Sequence, residues 1–412
     1  MSGTVIVGTG QAGFQIAASL RQGGYASPIT MVGDEEALPY GRPALSKAYL
    51  LGKTDAVGLE LRPAAFFADN AVTLRRGERV MEIRPDRRET RLSSGATLPY
   101  DHLVLATGSR NRPLPVPGAD LAGVHQLRTL ADADVLKLAI SQIRRVVVVG
   151  AGFIGLEFAA VCAARGLAVT VLEGAPRALA RSVSPVMAEA LEATHRAAGV
   201  VFAFGAAVRA IVGEGGRVTA VETADGQSHP ADLVLVGIGV LPNQELAAEA
   251  GLPVSNGIDV DATLVTADPA ISAVGDCARH PSPHAHEGRV RIESVQGAVD
   301  GARCVAARLN GQPVAHGTVP WFWSDQGAYK LQIAGLAAPF DRAVIRGDAA
   351  SGAFSVFCFR DGRLVGVESL NRPGDHMVAR RLLDGPASLT PDQAGDPGVD
   401  LKALAGSPRS RA

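Results

Sequence analysis

The 412-residue sequence predicts an α/β fold: two Rossmann-like dinucleotide-binding domains followed by a C-terminal α+β domain. Three observations carry this. Val5-Ile-Val-Gly8-Thr-Gly10-Gln-Ala-Gly13 reappears as Val147-Val-Val-Gly150-Ala-Gly152-Phe-Ile-Gly155. Each copy runs from a β-branched stretch through G-x-G-x-x-G into an apolar-periodic segment (14–20 and 156–164) and then a second strand (29–32 and 168–172), the βαβ opening of a nucleotide domain. Beyond Gly317 the pattern changes to short alternating strands with an Asp361-Gly362 turn, the mark of an antiparallel sheet.

Composition excludes several classes. The 40 Lys+Arg against 41 Asp+Glu give a net charge of −1, without the basic excess of a dedicated nucleic-acid binder. An apolar content of 47% excludes a mostly disordered chain. The amino terminus enters a strand by Thr4, with no basic region and apolar run ahead of it, so no signal peptide is expected. Val146 to Ala164 is apolar apart from Glu157, but Gly150, Gly152 and Gly155 divide it into strand, turn and helix, so it is not read as a membrane span. Cys162, Cys277, Cys304 and Cys358 are scattered, without a C-x-x-C pair, which fits a reducing cytoplasm.

Taken in order, the first glycine of each motif permits the tight turn, the second lets backbone approach a pyrophosphate, and the third lets helix pack on strand. The helix amino terminus then offers unpaired N–H groups and a positive dipole end to phosphates. A carboxylate after the second strand is expected to bind ribose hydroxyls. Glu173 stands there in the second copy; in the first, Gly33 holds that place and Asp34 and Glu35 follow. Two further apolar strands, 101–108 and 232–239, end in small-residue turns. A third, Ile271-Ser-Ala-Val-Gly275-Asp276, sets Asp276 at a strand end facing the first site, provided the strand joins the first sheet.

Prolines 113, 115 and 117 mark one crossover between domains and Leu241-Pro242-Asn243 the return. The expected division is therefore 1–112 with 241–316 as a discontinuous first domain, 113–240 as the inserted second, and 317–385 as the C-terminal α+β domain. Strands are expected at 329–333, 343–345, 354–360 and 364–369, a helix at 377–383, and a flexible tail over 386–412.

At this point the residues carry a family resemblance. Arg42-Pro-Ala-Leu-Ser-Lys47, Leu127-Arg-Thr-Leu130, Gly155-Leu-Glu157, Ala273-Val-Gly-Asp276, Arg291-Ile-Glu-Ser-Val295 and Pro320-Trp-Phe-Trp-Ser-Asp-Gln326 closely resemble the FAD-dependent NADH:ferredoxin reductases of bacterial oxygenase systems, the putidaredoxin-reductase-like group with a glutathione-reductase-type fold. The resemblance covers about residues 3 to 385. It implies that Gly8, Gly10 and Gly13, with Ala12, Asp34, Glu35 and Val80, hold FAD, and that Gly150, Gly152 and Gly155, with Glu173, hold NADH, Gly239 lying near the nicotinamide. It further implies that Lys47 sits at the flavin N5 edge with Arg128 as a second cation, that Asp276 bonds the ribityl chain, and that Val295 borders the ring. Glu157 would pair with Lys47 beside the nicotinamide amide. Hydride transfer needs alignment more than a protein acid, so these residues position and tune while the cofactor does the chemistry.

Trp321 and Trp323 are the only tryptophans. Their alternation along a strand is expected to set them on opposite faces, and the resemblance favours Trp323 as the ring beside the flavin. Glu173 would repel a 2′-phosphate, so NADH is expected over NADPH, although Arg177 and Arg181 follow closely enough to offset that repulsion. The place where thiol-using members of the fold carry their cysteine reads Ser46-Lys47, which excludes thiol chemistry. His280, His284 and His286 cluster in a Pro-rich loop and are read as solvated, not as a metal site.

By resemblance the electron acceptor is a 2Fe–2S ferredoxin that feeds a haem-thiolate monooxygenase or a ring dioxygenase, with Arg62 and Arg303 as rim charges on its docking face. An NADH-dependent rubredoxin or dye reductase is the alternative within the fold, and an NADH-responsive flavin-binding protein the alternative of another class. No membrane and no nucleic acid are expected as partners, the expected location is the cytoplasm, and the oligomeric state is left open.

Overall fold

The structure is a computed structural model that describes residues 2–385 and 388–406. The chain forms two compact units. One comprises Met1–Gly41, Ala56–Arg110 and Val240–Pro320; the other comprises Arg42–Asp55, Asn111–Gly239 and Trp321–Ala412.

The first unit is built on a five-stranded parallel sheet, in the order Ile271–Ala273, His102–Leu105, Thr4–Val7, Ile29–Val32, Val72–Arg75. Thr4 to Val7 are buried throughout, as a central parallel strand covered on both faces requires. Val7 pairs with both Val32 and Leu105, and Leu105 with Ala273, so four strands end together on one edge. The Gln11–Gln22 helix buries Ala12, Gly13, Phe14, Ile16, Ala17 and Leu20, one stripe of the 3.6-residue period. The Val295–Leu309 helix packs beside it, and a Cβ on its Gly301 would lie 2.9 Å from Val274 Cγ2, just beyond the Ile271–Ala273 strand. The Ile271–Ala273 strand does join this sheet, as the placement of Asp276 requires.

The second unit carries a like parallel sheet, in the order Val201–Phe204, Ala168–Glu173, Arg145–Val149, Leu233–Val236, Val124–His125. The Phe153–Ala164 helix is apolar on nearly every face, burying Leu156, Glu157, Phe158, Ala159, Val161 and Cys162. That pattern arises because the helix meets its own sheet on one side and the Trp321–Gln326 strand on another, with Phe153 and Phe322 rings 4.5 Å apart. Among the described residues no helix is long and apolar enough to cross a membrane. The C-terminal antiparallel sheet runs Trp321–Gln326, Tyr329–Gly335, Arg363–Leu370, Ala353–Arg360, Arg342–Asp348, backed by the Pro373–Asp384 helix. Its Asp361-Gly362 turn has φ of 50° and 72°, both positive as a two-residue type I′ hairpin demands.

Three expectations change. Arg42–Asp55, placed by sequence in the first domain, clusters with the second unit. It is tied there by Tyr49 Oη to Asp134, by Arg165 to the Leu50 carbonyl, and by Arg42 Nη1 to the Arg128 carbonyl at 2.8 Å. The 386–412 tail is not loose over its described part: Leu389, Ala394 and Leu401 are buried in the C-terminal core, in and before the short helices Pro391–Gly395 and Leu401–Gly406. Apolar residues spaced along a Pro- and Gly-rich stretch supplied that anchoring; residues 386–387 and 407–412 lie outside the described residues. The two tryptophans do not face apart, because strand side chains alternate with period two and residues i and i+2 share a face. Their ring centroids are 5.6 Å apart.

Candidate functional site

The two glycine turns show which glycines the fold needs and which it leaves free. Gly8 has φ +114°, and a Cβ there would come within 2.2 Å of the Ala106 carbonyl; Gly13 would bring one within 2.0 Å of the Gly8 carbonyl. Gly150 and Gly155 repeat this, at 2.5 Å from the Gly237 carbonyl and 2.2 Å from the Gly150 carbonyl. The middle glycines differ. A Cβ on Gly10 would meet nothing within 4 Å, and one on Gly152 only the Gly237 carbonyl at 3.8 Å. Protein packing therefore explains the outer pair of each motif, while the middle glycine keeps backbone open to something else.

Capping points the same way. The helices that begin after Thr129, Ser184, Ser294 and Thr390 each take a side-chain hydrogen bond at their amino end. Those that begin after Gly10 and Gly152 take none, as do the helices that begin after Pro63, Gln244 and Arg372, which lack the glycine turn. Bare N–H groups beside an open glycine, at the carboxyl end of a parallel sheet, fit a dinucleotide pyrophosphate in both units.

In the first unit the neighbouring residues gather at that edge. A Cβ on Gly275, φ +76°, would lie 3.2 Å from Ala12 Cβ, so the Asp276 turn packs directly against the start of the first glycine helix. Ser109 Oγ donates to Asp276 Oδ2 at 2.8 Å, a partner that sequence reasoning missed although it follows Gly108 directly. Val295 opens the helix capped by Ser294. Asp34 is exposed and ion-paired with Arg79 at 2.9 Å, and Tyr40 Oη donates to Glu35 at 2.6 Å. Gly33 occupies the register position of Glu173: Val7 pairs with Val32 just as Val149 pairs with Leu172. The Thr9 hydroxyl fills the space a Gly33 side chain would need, 2.2 Å from its Cβ. The Val80 side chain belongs to the hydrophobic core.

In the second unit Glu173 ends its strand as expected. Its carboxylate accepts from Ala151 N–H at 2.7 Å and Ala175 N–H at 2.8 Å, which fixes it over the glycine turn with lone pairs to spare. Gly239, φ +103°, has open space where a Cβ would stand. Arg181 is exposed, and Arg177 keeps its charge but turns toward its own loop. Its guanidinium is spent on the carbonyls of Ala178, Ala180 and Val183.

Lys47 and Glu157 meet in the same unit. Lys47 Nζ lies 2.7 Å from Glu157 Oε2, with side-chain exposures of 17% and 5%. A carboxylate so buried needs donors, and it has three. Ser46 Oγ gives a second bond to Oε2 at 2.5 Å, and Ser324 Oγ donates to Oε1 at 2.6 Å. Lys47 Nζ also donates to the Pro43 carbonyl at 2.8 Å. Gln326 extends the network, from Ser324 Oγ at 3.4 Å to His195 Nε2 at 2.9 Å. Ser46 and Ser324 lie inside the sequence strings that carry the resemblance, yet their contact with Glu157 spans 111 and 167 residues and has no local signal. Arg128, at the start of the Thr129-capped helix, gives its N–H to Asp132 at 2.9 Å. Trp323 lies tilted by 38° beside Trp321, whose own ring is covered by His376 and Arg380.

All four cysteines are free and buried. Burial pushes the Cys162 thiol up to about 12 and the Cys304 thiol up to about 11, and raises those of Cys277 and Cys358, so none supplies a thiolate. The histidines expected to be solvated divide: His280 is buried against His316, ring centroids 4.6 Å apart, while His284 faces the Gly317 carbonyl and His286 lies near Glu287. Arg62 is exposed over the Phe66 ring, and Arg303 is exposed with Asp300 at 3.6 Å.

A sequence profile of the pyridine nucleotide-disulphide oxidoreductases matches residues 3–302. The chain belongs to that family. A second profile, described as reductase C-terminal, matches residues 321–405. The chain is 51% identical over 398 residues to rhodocoxin reductase of Rhodococcus erythropolis, covering 97% of this chain and 93% of that one. Among solved structures, a ferredoxin reductase from Rhodopseudomonas palustris superposes with a TM-score of 0.94 at 50% identity, covering 98% of this chain and 99% of that one. The reductase of the covalent putidaredoxin reductase–putidaredoxin complex gives 0.94 at 42% identity, covering 98% and 97%. The fold expected from the sequence, two nucleotide domains with a C-terminal α+β domain, is the fold of these proteins.

Proposed function

We infer that the chain is an NADH-dependent ferredoxin reductase, which passes electrons from NADH through bound FAD to a 2Fe–2S ferredoxin serving a haem-thiolate monooxygenase or a ring dioxygenase. The observation that carries the reading is the pair of open glycine turns, one per unit, in a chain whose four thiols are all buried and protonated. Two nucleotide sites without a usable thiol imply transfer from one nucleotide to the other and on to an external acceptor. The names of the relatives, a rhodocoxin reductase and a reductase joined to putidaredoxin, support an iron–sulfur acceptor.

When bound, FAD supplies the chemistry: it takes two electrons from NADH and releases them singly to a one-electron carrier. The protein's residues hold and align. In the first unit Gly8, Gly10, Ala12 and Gly13 receive the pyrophosphate on bare N–H groups, Asp276 stands fixed by Ser109, and Asp34, Glu35, Val80 and Val295 complete the surround. In the second unit Gly150, Gly152 and Gly155 receive the NADH pyrophosphate, Glu173 accepts from the ribose hydroxyls, and Gly239 leaves room for the nicotinamide. A 2′-phosphate would meet the Glu173 charge, while the Arg177 guanidinium donates to the carbonyls of its own loop, which favours NADH over NADPH. Glu157, held by three donors, keeps Lys47 in a single place, so neither group must be ordered during the reaction. The family resemblance is what assigns Lys47, Arg128 and Trp323 to the flavin, and Arg62 and Arg303 to the docking face. Four unpaired cysteines fit a cytoplasmic location.

Stopped-flow mixing of the FAD-loaded protein with NADH, then with a purified 2Fe–2S ferredoxin, tests the function. Fast flavin bleaching followed by fast ferredoxin reduction is expected. Slow bleaching by NADH would refute an NADH-dependent enzyme, and fast bleaching with sluggish ferredoxin reduction would leave a rubredoxin or dye reductase.

A further inference from the structure

Glu368 has no part in the chemistry above. It interrupts the apolar run Val365-Gly-Val-Glu368-Ser-Leu370 of the C-terminal sheet, and it is 0% exposed. A carboxylate taken fully out of water is costly unless it is hydrogen-bonded, and fold stability alone would be served as well by an apolar residue. Both of its oxygens accept from Ser184, and the Cys358 thiol lies 4.0 Å from Oε1. Oε1 accepts from Ser184 N–H at 2.8 Å and Oε2 from Ser184 Oγ at 2.6 Å.

Ser184, itself 0% exposed, caps the Pro185–Ala197 helix by accepting from Met187 N–H at 3.3 Å. It is also the last residue of the loop that leaves Glu173. That loop is drawn together by Arg177, which donates to the carbonyls of Ala178 at 3.2 Å, Ala180 at 3.0 Å and Val183 at 2.9 Å. Leu179, strained at φ +50°, gives its N–H to the carbonyl of Ala151, inside the second glycine turn, at 3.0 Å. The loop is thus held to the glycine turn through Leu179, to the next helix by Ala178 N–H donating to Glu192 at 2.9 Å, to Gly205 N–H through the Ala175 carbonyl at 3.1 Å, and to Glu368 at its far end.

We propose that Glu368 is a positioning residue for NADH, anchoring through Ser184 the 174–184 loop that borders the Glu173 ribose site. This rests on the reading that the second glycine turn holds NADH. The C-terminal sheet then sets the affinity for the nucleotide through a residue that never touches it.

The test follows flavin reduction in the FAD-loaded protein by stopped flow, across a range of NADH concentrations. Glu368→Ala is expected to raise the half-saturating NADH concentration about tenfold, the loss of two hydrogen bonds that leaves the buried Ser184 hydroxyl and N–H without that partner, with the limiting rate within about twofold of the parent. Ser184→Ala removes the bond to Oε2 and the Met187 cap but keeps its own N–H to Oε1, so it is expected to raise half-saturation in the same direction, and the double variant to fall short of the two single effects combined. Glu368→Gln is expected to restore near-parental half-saturation, since its carbonyl accepts from Ser184 N–H and its amide donates to Ser184 Oγ. Unchanged half-saturation in both Glu368→Ala and Ser184→Ala, or a fall in limiting rate alone, would overturn the proposal. Parent protein whose flavin NADH does not reduce would instead sink the NADH reading itself.

Discussion

Replacing Glu368 by glutamine separates the charge of this buried group from its shape, and pH reads out the difference. Burial pushes its carboxyl from the ordinary 4.5 up to about 7, against smaller downward pulls from the Ser184 hydrogen bonds and the Arg177 charge. The native state therefore holds a proton that the unfolded chain has released. The stability this contributes is complete below about pH 4.5 and is lost as pH rises through about 7. At 1.36 kcal/mol per pKa unit, a rise from 4.5 to about 7 corresponds to roughly 3 kcal/mol. Five buried histidines act in the opposite sense: His102 is lowered to about 3, His316 and His376 to about 4, and His195 and His280 are lowered too, chiefly by desolvation. Their contribution is complete above 6.5 and is lost as pH falls toward 4, so the parent curve alone mixes both effects. The difference between parent and Glu368→Gln cancels the histidines. Chemical denaturation of both FAD-loaded proteins from pH 5 to pH 8 is expected to show a variant more stable by about 1 kcal/mol or less at pH 5 and by up to roughly 3 kcal/mol at pH 8. A pH-independent difference would refute the reasoning.

Other consequences can be measured on the same protein. Gly10→Val is expected to lower FAD content sharply while the apoprotein melts near the parent, because its side chain enters open space; Gly8→Val, aimed at the Ala106 carbonyl from φ +114°, is expected to prevent folding. Absorbance ratio and melting temperature distinguish the two. Ser324→Ala removes one of three donors to Glu157 and is expected to slow flavin reduction by NADH about tenfold, seen in single-turnover rates with FAD content unchanged. Glu173→Arg deletes the carboxylate that Ala151 and Ala175 hold, and is expected to lower kcat/KM for NADH at least tenfold; unchanged NADH turnover would count against the ribose assignment.

Much of the candidate site was legible because its signals are local. A glycine turn needs its residues within six positions, so Gly8 to Gly13 and Gly150 to Gly155 could be paired by inspection, and Glu173 followed from strand length. The Lys47–Glu157 contact came only by way of the resemblance, since 110 residues separate the two. The tail and the tryptophans differ from expectation for different reasons: a Pro- and Gly-rich composition carries no periodic signal for the burial of Leu389, Ala394 and Leu401, and a strand's period of two sets residues i and i+2 on one face.

The sequence by itself determined the duplicated βαβ openings, the nucleotide turns and the absence of a redox cysteine pair, because each depends on spacing within one element or on composition. Only the tertiary structure decided which glycines the fold requires, that Ser46 and Ser324 share Glu157, that Arg177 is spent on its own loop, and that Glu368 ties the C-terminal sheet to Ser184. Those are meetings of buried polar atoms from distant segments, and burial is what forces each to find a partner.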